Sequence, residues 1–394
     1  MEALKKIIEI QTEFNSSARK KKSGIKVRDY LKYLYYRLRY KVPARDYFDY
    51  RLYEAHSIEK AYFETNLKRV RSWSVAIKKF RPDAGKCWRI VHYLDYFFSR
   101  FVYPGLDAHD YLAYRFYEFK HNKRKTFVTE GYFHKLIEFY NFSDKKVVKN
   151  EIPLLSNKGK FNAFFSDFVK RKWILAEHMS FEDWNNFSKD MDRVIVKPLD
   201  GSGGHGIKIY KLSGEEERKR LYGFLRGQQL IAEEVVKQHP LLDELNPASV
   251  NTIRIFSVYT KRKGAVITNS LIRIGNGTAD VDNVHSGGYV AKVDVKSGIV
   301  DSAAIDFEGK SVYVHPRSGK TIIGMRVPEW KAIISNVKKA HRKIPNIRYI
   351  GWDIAVGADS SIIFIEGNPG GGVAMQQHPT LEGVKALYDR LRFE

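Results

Sequence analysis

Cysteine is almost absent from the 394-residue sequence, in which Cys87 is the only one. An intrachain disulfide and a cysteine-based zinc site are therefore both excluded. A single cysteine suits the reducing environment of a cytoplasm. We expect Cys87 itself to be a small residue of a hydrophobic core.

Long uncharged hydrophobic runs are also missing from the sequence. A membrane-spanning helix needs about 18 or more such residues, so no transmembrane segment is predicted. The start of the chain carries Glu2 and Glu9 among apolar positions, unlike the uncharged core of a signal peptide. We expect a cytoplasmic location, with the inner face of the membrane as the alternative.

Acidic residues are too few to balance the basic ones, and the formal net charge is +23. Residues 1–150 contain 33 Lys and Arg against 17 Asp and Glu, whereas the remaining residues contain 35 against 28. The basic excess therefore lies mostly in the first part of the chain. Such a balance suits a nucleic acid, an anionic membrane surface or anionic substrates.

The basic front of the chain, residues 1–125, is predicted to be helical and is rich in aromatic residues. Tyr30, Leu34 and Leu38 recur at helical spacing, and breaks are predicted near residues 81–85 and 103–105. A helix with its tyrosine and leucine face on the core is favoured over a basic helix lying on anionic lipid, because no charge-segregated face stands out. Binding of single-stranded nucleic acid is a weaker interpretation, since no recognisable nucleic-acid module accompanies the tyrosines.

The most informative stretch is residues 194–210, where one β-branched strand ends at Lys197 and a second begins near Ile207. Between them lies a glycine-rich loop, with Gly201, Ser202, Gly203, Gly204 and Gly206. Glycine leaves backbone N–H groups open to a ligand, and Lys197 adds a point charge, so this hairpin is suited to a phosphate chain. A glycine-rich turn beside a surface lysine is the alternative.

The spacing around this loop excludes several nucleotide motifs. A dinucleotide-binding loop is followed by a helix, whereas a strand follows here. A protein kinase has its lysine after the glycine loop, and a Walker loop ends in Gly-Lys-Ser/Thr. Lys158, ahead of the loop, is a candidate second phosphate contact, with an exposed helical lysine as the alternative.

Two further segments carry candidate nucleotide and phosphate contacts. Residues 229–236 predict a strand whose backbone could meet an adenine edge and whose acids could lie near the nucleotide or a lysine. The candidate nucleotide contacts on it are Glu233, Glu234, Val235 and Val236. An edge strand whose acids face solvent is the alternative. Residues 249–258 and 265–274 predict paired strands with Arg254 and Arg273 among apolar neighbours. Two arginines directed at one cleft would bind phosphate, and structural ion pairs are the alternative.

The end of the chain carries a candidate metal site. Residues 349–356 and 362–368 predict a hairpin in which Asp353 and Glu366 each interrupt an apolar run. Two unpaired buried carboxylates are unfavourable, and a hard divalent cation such as Mg²⁺ removes that penalty. Asn368 lies two residues beyond Glu366 on the same strand face. Strand-end carboxylates facing water are the alternative.

A polar loop precedes this hairpin and ends in two glycines. Its tentative substrate contacts are Asp282, Asn283, His285, Gly287 and Gly288. The glycines permit close approach of the backbone to a ligand. His285 is interpreted as a substrate contact or loop residue, because no second histidine lies at metal-ligand spacing.

Together these motifs resemble the ATP-grasp superfamily over roughly residues 155–394. The matching parts are Lys-Pro before the glycine hairpin, the Glu-Glu strand, the two arginines, and Asp353 with Glu366-Gly367-Asn368-Pro369. The 282–288 loop and the basic helical front are similar to the sugar-transfer-associated ATP-grasp group, whose members are inferred to act in cell-surface polysaccharide assembly.

The resemblance implies an α+β ATP-grasp fold, with two α+β lobes that hold ATP, after a mainly helical N-terminal region. The implied division is a helical region at 1–125, a linker at 126–190, a small lobe at 191–240 and a large lobe at 241–394. Lys158, Lys197 and the glycine loop would contact phosphates, and Asp353, Glu366 and Asn368 would hold Mg²⁺ or Mn²⁺. Two family features are not evident: a Rossmann-like domain ahead of the lobes, and a ribose-binding acid after the Glu-Glu strand.

The implied reaction is ATP-dependent ligation of a carboxylate to an amine through an acyl phosphate, with Arg254, Arg273 and Lys197 as catalytic residues. The substrates would be small-molecule or lipid-linked sugar carboxylates and amines, and no specific nucleic acid is expected.

Two alternatives to the ligase remain. One is a phosphotransferase acting on a hydroxyl, and the other is a non-enzymatic protein that binds nucleic acid or a membrane surface. A covalent nucleotidyltransferase is weaker still, because Asp200 lies three residues after Lys197 instead of two. Peripheral membrane contact through the basic N-terminal region, including residues 19–22, is compatible with the ligase interpretation.

Overall fold

The computed structural model of the chain describes residues 2–20, 27–40, 43–45, 47–48, 66–103, 105–201, 206–277, 287–306 and 308–391. The described helices, in chain order, are α1 Glu2–Lys20, α2 Val27–Tyr40, α3 Asn66–Phe80, α4 Lys86–Val102, α5 Ala108–Ala113, α6 His121–Arg124, α7 Glu130–Phe142, α8 Lys145–Asn150, α9 Pro153–Ser156, α10 Lys158–Phe164, α11 Ser166–Val169, α12 Phe181–Ser188, α13 Glu215–Leu225, α14 Pro240–Leu245, α15 Trp330–Arg342, α16 Ala374–Gln377 and α17 Lys385–Leu391.

The described strands form two sheets. They are β1 Trp173–Leu175, β2 Arg193–Pro198, β3 Lys208–Lys211, β4 Leu230–Glu234, β5 Thr252–Thr260, β6 Gly264–Ile274, β7 Tyr289–Lys292, β8 Ala304–Ile305, β9 Ser311–Val312, β10 Tyr349–Val356 and β11 Ile362–Asn368. The first sheet has the order β1-β4-β2-β3, and the second has the order β11-β10-β5-β6-β7-β8-β9.

The chain divides into two compact units. Unit 1 comprises residues 1–139, 260–263 and 382–394, and unit 2 comprises residues 140–259 and 264–381. Both sheets are therefore built almost entirely from unit 2. The lobe boundaries inferred from the sequence remain a prediction.

The four-stranded sheet of unit 2 is antiparallel throughout and packs its apolar face against α12 and α13. Trp184 of α12 and Leu225 of α13 are fully buried in this core. Ser180 begins α12 with a capping box that it shares with Asp183, which satisfies two N–H groups at the helix start. This small core fixes β2 and β4, which carry the candidate lysine and glutamates.

The seven-stranded sheet of unit 2 has its most buried strand near one edge. All eight residues of β10 are buried, although Asp353 stands in the middle of the strand. Strand β10 pairs antiparallel with β5 on one side and β11 on the other. The helix α15 covers this sheet with Ile333 and Val337, both fully buried.

Unit 1 has an aromatic core in its helical part. The rings of Trp73 on α3 and Tyr96 on α4 stack at 5.5 Å between centroids, and Tyr111 on α5 contacts both. The predicted breaks near residues 81–85 and 103–105 match the ends of α3 and α4. Among the residues that the structure describes, no helix combines the length and the apolar character needed to cross a membrane.

One sequence expectation about unit 1 is wrong. Cys87 is exposed on α4 instead of buried in a core. The helix turns its polar side inward, where Asp95 accepts hydrogen bonds from Arg124 and Tyr111. This orientation leaves Cys87 and its apolar neighbours on the outer face.

Candidate functional site

A cavity of about 600 Å³ in unit 2 is lined by residues from both sheets. Strands β2, β3 and β4 of the four-stranded sheet form part of its wall, and β5, β6, β10 and β11 of the seven-stranded sheet form the rest. Ligand pockets for small molecules and cofactors typically measure about 300–1,000 Å³. The cavity therefore has the size of a nucleotide or small-substrate site.

The buried carboxylate of Glu233 on β4 holds two basic residues in this wall. Its Oε2 accepts from Nζ of Lys197 at 2.6 Å and from Nε of Arg171 at 3.1 Å. Its Oε1 accepts from Nη2 of Arg171 at 2.8 Å and from Nδ2 of Asn162 at 2.7 Å. With 1% of its surface exposed, Glu233 is enclosed by donors, and we call these four residues the Glu233 cluster.

The electrostatics of the Glu233 cluster favour the ionised carboxylate. Burial alone would raise the pKa of Glu233, but the charges of Arg171 and Lys197 and their hydrogen bonds hold it well below its usual value. Glu233 therefore holds the ammonium of Lys197 at the cavity wall. Its side chain is committed to these partners in place of a direct nucleotide contact.

Lys158 lies at the first turn of α10, next to the base of the glycine loop. Its backbone N–H donates to the carbonyl of Leu199 at 2.9 Å, and its Nζ donates to the carbonyl of Gly201 at 3.2 Å. The preceding residue, Asn157, caps α10 and donates from Nδ2 to Asp200 at 3.2 Å. The helix start and the loop base are thus tied together on both sides of Lys158.

The charge environment of Lys158 reflects its neighbours in the cavity. Burial lowers its pKa, the carboxylate of Glu366 acts in the opposite direction, and the ammonium of Lys197 lowers it further. Two lysines from separate segments therefore share one electrostatic environment with Glu366. Such a group of cations suits a polyphosphate.

The glycine loop requires glycine at both of its described ends. Gly201 has φ of +124° and Gly206 has φ of +75°, values that L side chains rarely adopt. A Cβ added to Gly206 would also lie 2.9 Å from Cγ of Pro198. The close approach of this turn to β2 thus explains a glycine at that position.

Asp353 stands between two strands that each present a functional side chain to it. It lies directly opposite Arg254 of β5 and Glu366 of β11. Arg254 donates to both of its carboxylate oxygens, with Nη2 at 2.6 Å from Oδ2, and Nη1 of Arg273 lies 3.1 Å from the same Oδ2. The two arginines predicted from separate strands therefore meet at one carboxylate.

Glu366 faces Asp353 and carries the opposite pKa shift. Burial and then the negative charge of Asp353 raise the pKa of Glu366, while Arg254 acts to lower it. For Asp353, burial acts to raise the pKa, but Arg254 and Arg273 bring it below its ordinary value. We call Asp353, Glu366, Arg254 and Arg273 the Asp353 cluster.

The Asp353 cluster and the neighbouring amide fit a divalent cation. Asp353, Glu366 and Asn368 all line the cavity and offer oxygen atoms, which are the donors that Mg²⁺ prefers. Burial first, and then the charge of Asp353, raise the pKa of Glu366, and a bound cation would stabilise its ionised form. Gly367, between Glu366 and Asn368, is closely packed, and a Cβ there would lie 2.8 Å from Cδ2 of Leu155, which would have to move.

A polar network fixes the cavity wall beyond β4. Gln238 donates from Nε2 to the carbonyls of Asn246 and Ser249 at 2.8 and 3.1 Å. Its Oε1 accepts from both the backbone N and Nδ2 of Asn251, each at 3.0 Å. Because Gln238 and Asn251 are buried, these bonds hold residues 247–250 in place along the cavity.

Comparison with known proteins identifies the family. The model of a family described as sugar-transfer associated ATP-grasp matches residues 138–391 of the chain. The chain belongs to this family. The predicted α+β ATP-grasp fold with a helical N-terminal region is confirmed, and so is the prediction of an ATP-grasp enzyme at the level of the family.

Three solved structures are similar to the chain at low sequence identity. An ADP complex of purK, an N5-carboxyaminoimidazole ribonucleotide synthetase, is 11% identical with a TM-score of 0.35, covering 55% of this chain and 45% of that one. The ATP-grasp ligase PsnB with a phosphomimetic variant of its minimal precursor, Mg and ADP is 12% identical with a TM-score of 0.38, covering 67% and 66%. D-alanyl-alanine synthetase A from Vibrio cholerae O1 biovar eltor str. N16961 is 10% identical with a TM-score of 0.35, covering 60% and 64%.

The chain thus spans less than two thirds of the length of each of these three solved structures. A search of the curated proteins found no match. At these identities and TM-scores the assignment depends on the family model.

Most of the site residues predicted from the sequence lie along this one cavity of the ATP-grasp protein. Those that line it are Lys158, Lys197, Gly201, Glu233, Glu234, Val235, Val236, Arg254, Arg273, Asp353, Glu366 and Asn368. Strand β4 ends at Glu234, so Val235 and Val236 follow the strand instead of belonging to it.

The remaining predicted residues fall into two groups. Some lie outside the described residues: Ser202, Gly203, Gly204, Asp282, Asn283 and His285. Gly206, Gly287 and Gly288 are described but are not among the residues that line the cavity. Gly287 has φ of +88°, and a Cβ there would lie 2.7 Å from Nδ2 of Asn276.

Sequence reasoning missed four charged residues that line the cavity, which are Arg171, Arg193, Lys237 and Asp243. Arg171 is buried against Glu233, and Asp243 of α14 lines the cavity and accepts from Nε2 of Gln238 at 3.3 Å. No local pattern marks Arg171, because its partner lies 62 residues away in the chain. The sequence did point to Asp243, because it is the first acidic residue after the Glu-Glu strand.

Proposed function

We propose that this protein is an ATP-dependent carboxylate–amine ligase that forms an amide through an acyl phosphate. The observation that carries the proposal is the convergence of Lys158, Lys197, Arg254 and Arg273 with the Asp353–Glu366 pair along one cavity. Catalysis of phosphoryl transfer consists mainly of positioning and charge stabilisation, which these fixed cations are suited to supply.

The nucleotide would lie with its phosphates toward the two lysines. Lys197, held by Glu233, and Lys158, tied to the loop base, would bind phosphate oxygens. The backbone of Val235 and Val236 would meet the adenine edge. Asp243, which lines the cavity beyond them, is the candidate for the ribose hydroxyls that the sequence left unassigned.

Asp353, Glu366 and Asn368 would hold Mg²⁺, and Mn²⁺ is proposed as a substitute. When bound, the metal would neutralise phosphate charge near the reacting groups. The residues of the chain act around it: Arg254 and Arg273 keep Asp353 ionised and present their guanidinium groups at the cavity. The same guanidinium groups would bind the transferring phosphoryl group and then the oxyanion of the tetrahedral intermediate.

The amide would form in two chemical steps. A carboxylate oxygen of the substrate attacks the γ-phosphorus, and the bond to the β-phosphate oxygen breaks to release ADP. The amine then attacks the acyl carbon, the bond to the phosphate oxygen breaks, and phosphate leaves. The amine loses a proton in this step.

The proposed substrates are a sugar carboxylate, free or lipid-linked, and an amine used in assembly of a cell-surface polysaccharide. The family description as sugar-transfer associated supports this substrate class. A cytoplasmic location at the inner face of the membrane, with contact through the basic N-terminal region, completes the proposal. It is supported by the 33 basic residues against 17 acidic ones in residues 1–150.

Hydroxylamine trapping tests the reaction class, because hydroxylamine can replace an unidentified amine. The protein is incubated with Mg-ATP, hydroxylamine and a panel of uronic acids and their nucleotide-linked forms. A hydroxamate that appears together with ADP and phosphate supports the ligase. A phosphorylated sugar without hydroxamate or free phosphate would contradict the ligase and support the phosphotransferase alternative.

Oxygen isotopes provide an independent test once a carboxylate is found. Substrate labelled with ¹⁸O in its carboxylate should transfer one labelled oxygen to the released phosphate. Release of unlabelled phosphate would contradict an acyl-phosphate intermediate. Arg273→Lys, which keeps the charge but loses the planar two-donor geometry, is expected to slow the reaction by about 10²-fold.

A further inference from the structure

The helix α4 of unit 1 exposes an apolar face. Six of its large apolar side chains are more than half exposed, and Cys87 lies exposed on the same face. The six are Ile90 at 64%, Val91 at 59%, Leu94 at 52%, Phe98 at 64%, Phe101 at 57% and Val102 at 54%. We call these seven residues the α4 stripe.

The α4 stripe is continuous along the helix. At about 100° per residue its seven positions fall within an arc of roughly 120°, and no charged residue lies inside that arc. The 17 residues of α4 make a helix about 25 Å long. A contiguous apolar surface of this kind on a protein commonly marks a site of interaction.

The outward direction of the stripe is fixed by contacts of Asp95 and Ser99, which lie beside it on α4. Asp95 accepts from Nη2 of Arg124 at 2.7 Å and from the hydroxyl of Tyr111 at 2.6 Å. Ser99, which is buried, accepts from Nη1 of Arg124 at 3.1 Å. Rotating α4 to bury the stripe would break this network and leave its charged groups without partners. The exposed stripe is therefore the orientation that the inward contacts stabilise.

The charge around the stripe favours an anionic occupant. Helix α4 carries Lys86, Arg89 and Arg100, and its one acid, Asp95, is paired with Arg124. Residues 1–150 as a whole have 33 basic against 17 acidic residues. A second copy of the chain would bring this excess against an equal excess, whereas anionic lipid would compensate it.

We propose that the α4 stripe is a membrane-contact surface that enters the interfacial region of an anionic lipid bilayer. Helices with an apolar face containing Phe and Leu and with basic residues beside it lie in the plane of such an interface. This inference deepens the membrane contact in the proposed function and rests on it for its biological role. It assigns the contact to α4 instead of residues 19–22.

The only cysteine of the chain provides a probe on the stripe itself. Cys87 is labelled with an environment-sensitive fluorophore and mixed with vesicles of phosphatidylglycerol and phosphatidylcholine, or of phosphatidylcholine alone. We expect a blue shift of the emission with the anionic vesicles, and quenching by brominated acyl chains in them. The shift should be weaker with phosphatidylcholine alone. The measurement needs no nucleotide, so it can fail while the ligase proposal stands, and the ligase proposal can fail while it succeeds.

A matched pair of variants tests the apolar contribution. Leu94→Ser with Phe98→Ser should lower vesicle binding by about tenfold or more, because two anchoring side chains are removed. Phe224→Ser with Ile323→Ser changes two exposed apolar residues of unit 2 and should leave binding within about twofold. Circular dichroism of both variants should match the wild type, since all four positions are at least 42% exposed.

Three outcomes would overturn the proposal. One is a wild type that does not bind the anionic vesicles; if that protein also sediments as a dimer that Leu94→Ser with Phe98→Ser dissociates, the stripe is assigned to a second copy. Another is a label already in an apolar environment in the vesicle-free monomer, which would mean that the chain covers its own stripe. The third is equal loss of vesicle binding in the two paired variants.

Discussion

Two buried carboxylates in unit 2 are surrounded by basic residues, but the balance of charge around them differs. Glu233 is enclosed by Lys197, Arg171 and Asn162, and its pKa is depressed. Asp353 also has two basic partners and a depressed pKa, yet Glu366 lies directly opposite with a raised pKa. The first carboxylate has two cations to itself, whereas the second shares its two arginines with another buried carboxylate.

This difference separates a positioning role from a ligand-binding role. Glu233 uses its side chain on residues of the protein itself and so holds Lys197 at the cavity. Asp353 and Glu366 together would be stabilised by an additional cation, and both line the same cavity. The comparison predicts that mutations at the two places affect different properties.

The largest effect on stability is expected for Glu233→Gln. The change leaves Arg171 and Lys197 buried without their counterion, which costs about 3–5 kcal/mol of unfolding free energy. Chemical denaturation at neutral pH measures this loss. The neighbouring Glu234→Gln is the control and should lose less than about 1 kcal/mol, because that side chain is partly exposed. Equal losses in the two variants would break the comparison.

The contribution of Glu233 should also depend on pH in a defined direction. The pKa of Glu233 is depressed in the folded state, so its stabilisation is present above the unfolded value of about 4.3 and is lost as pH falls toward the folded value. The difference in unfolding free energy between wild type and Glu233→Gln should therefore be constant above about pH 5 and shrink below about pH 4. A difference that grows on acidification would contradict the assigned role.

A smaller effect on stability is expected for Asp353→Asn. Glu366 lies opposite and can neutralise Arg254 and Arg273 in its place, so the loss should be about 1–2 kcal/mol. Denaturant titration of Asp353→Asn and Glu233→Gln under the same conditions ranks their losses of unfolding free energy. If Asp353→Asn were the more destabilising of the two, the Asp353 cluster would be the structural one.

The smallest effect is expected for Lys158→Met on nucleotide affinity. Removing one phosphate contact should weaken binding of an ATP analogue by about tenfold, with stability nearly unchanged. Lys160→Met, on the exposed side of the same helix, is the matched control for the titration. Equal affinities of the two variants would remove Lys158 from the phosphate site.

Local sequence patterns predicted the parts of the site that depend on neighbouring residues in the chain. The hairpin that opposes Asp353 and Glu366 is short in sequence, so alternation of apolar residues and a turn sufficed to pair the two strands. The glycine hairpin was likewise readable, since β2 and β3 pair across it.

The failures concern contacts between distant segments. Arg171 and Glu233 meet across 62 positions, and no periodicity encodes that pairing. The catalytic role of Arg254 and Arg273 stays a prediction; the sequence did not reveal that both pair with Asp353, which lies 99 and 80 positions away. Cys87 was expected inside, because free cysteine is commonly a small residue of a hydrophobic core. It is exposed instead, and the bond between Asp95 and Arg124 holds α4 in that orientation.

We propose that Asp353, Glu366 and Asn368 hold a cation that nucleotide binding requires. Calorimetric titration with a non-hydrolysable ATP analogue, with Mg²⁺ or with EDTA, tests it most directly. Wild type should lose about 100-fold or more in affinity without Mg²⁺, and Glu366→Gln should be equally weak with Mg²⁺ present.

Asp359→Asn, at the exposed turn of the same hairpin, is the control for this titration and should bind within about threefold of wild type. Binding of the analogue that is unchanged by EDTA, or a Glu366→Gln protein that binds like Asp359→Asn, would contradict the claim.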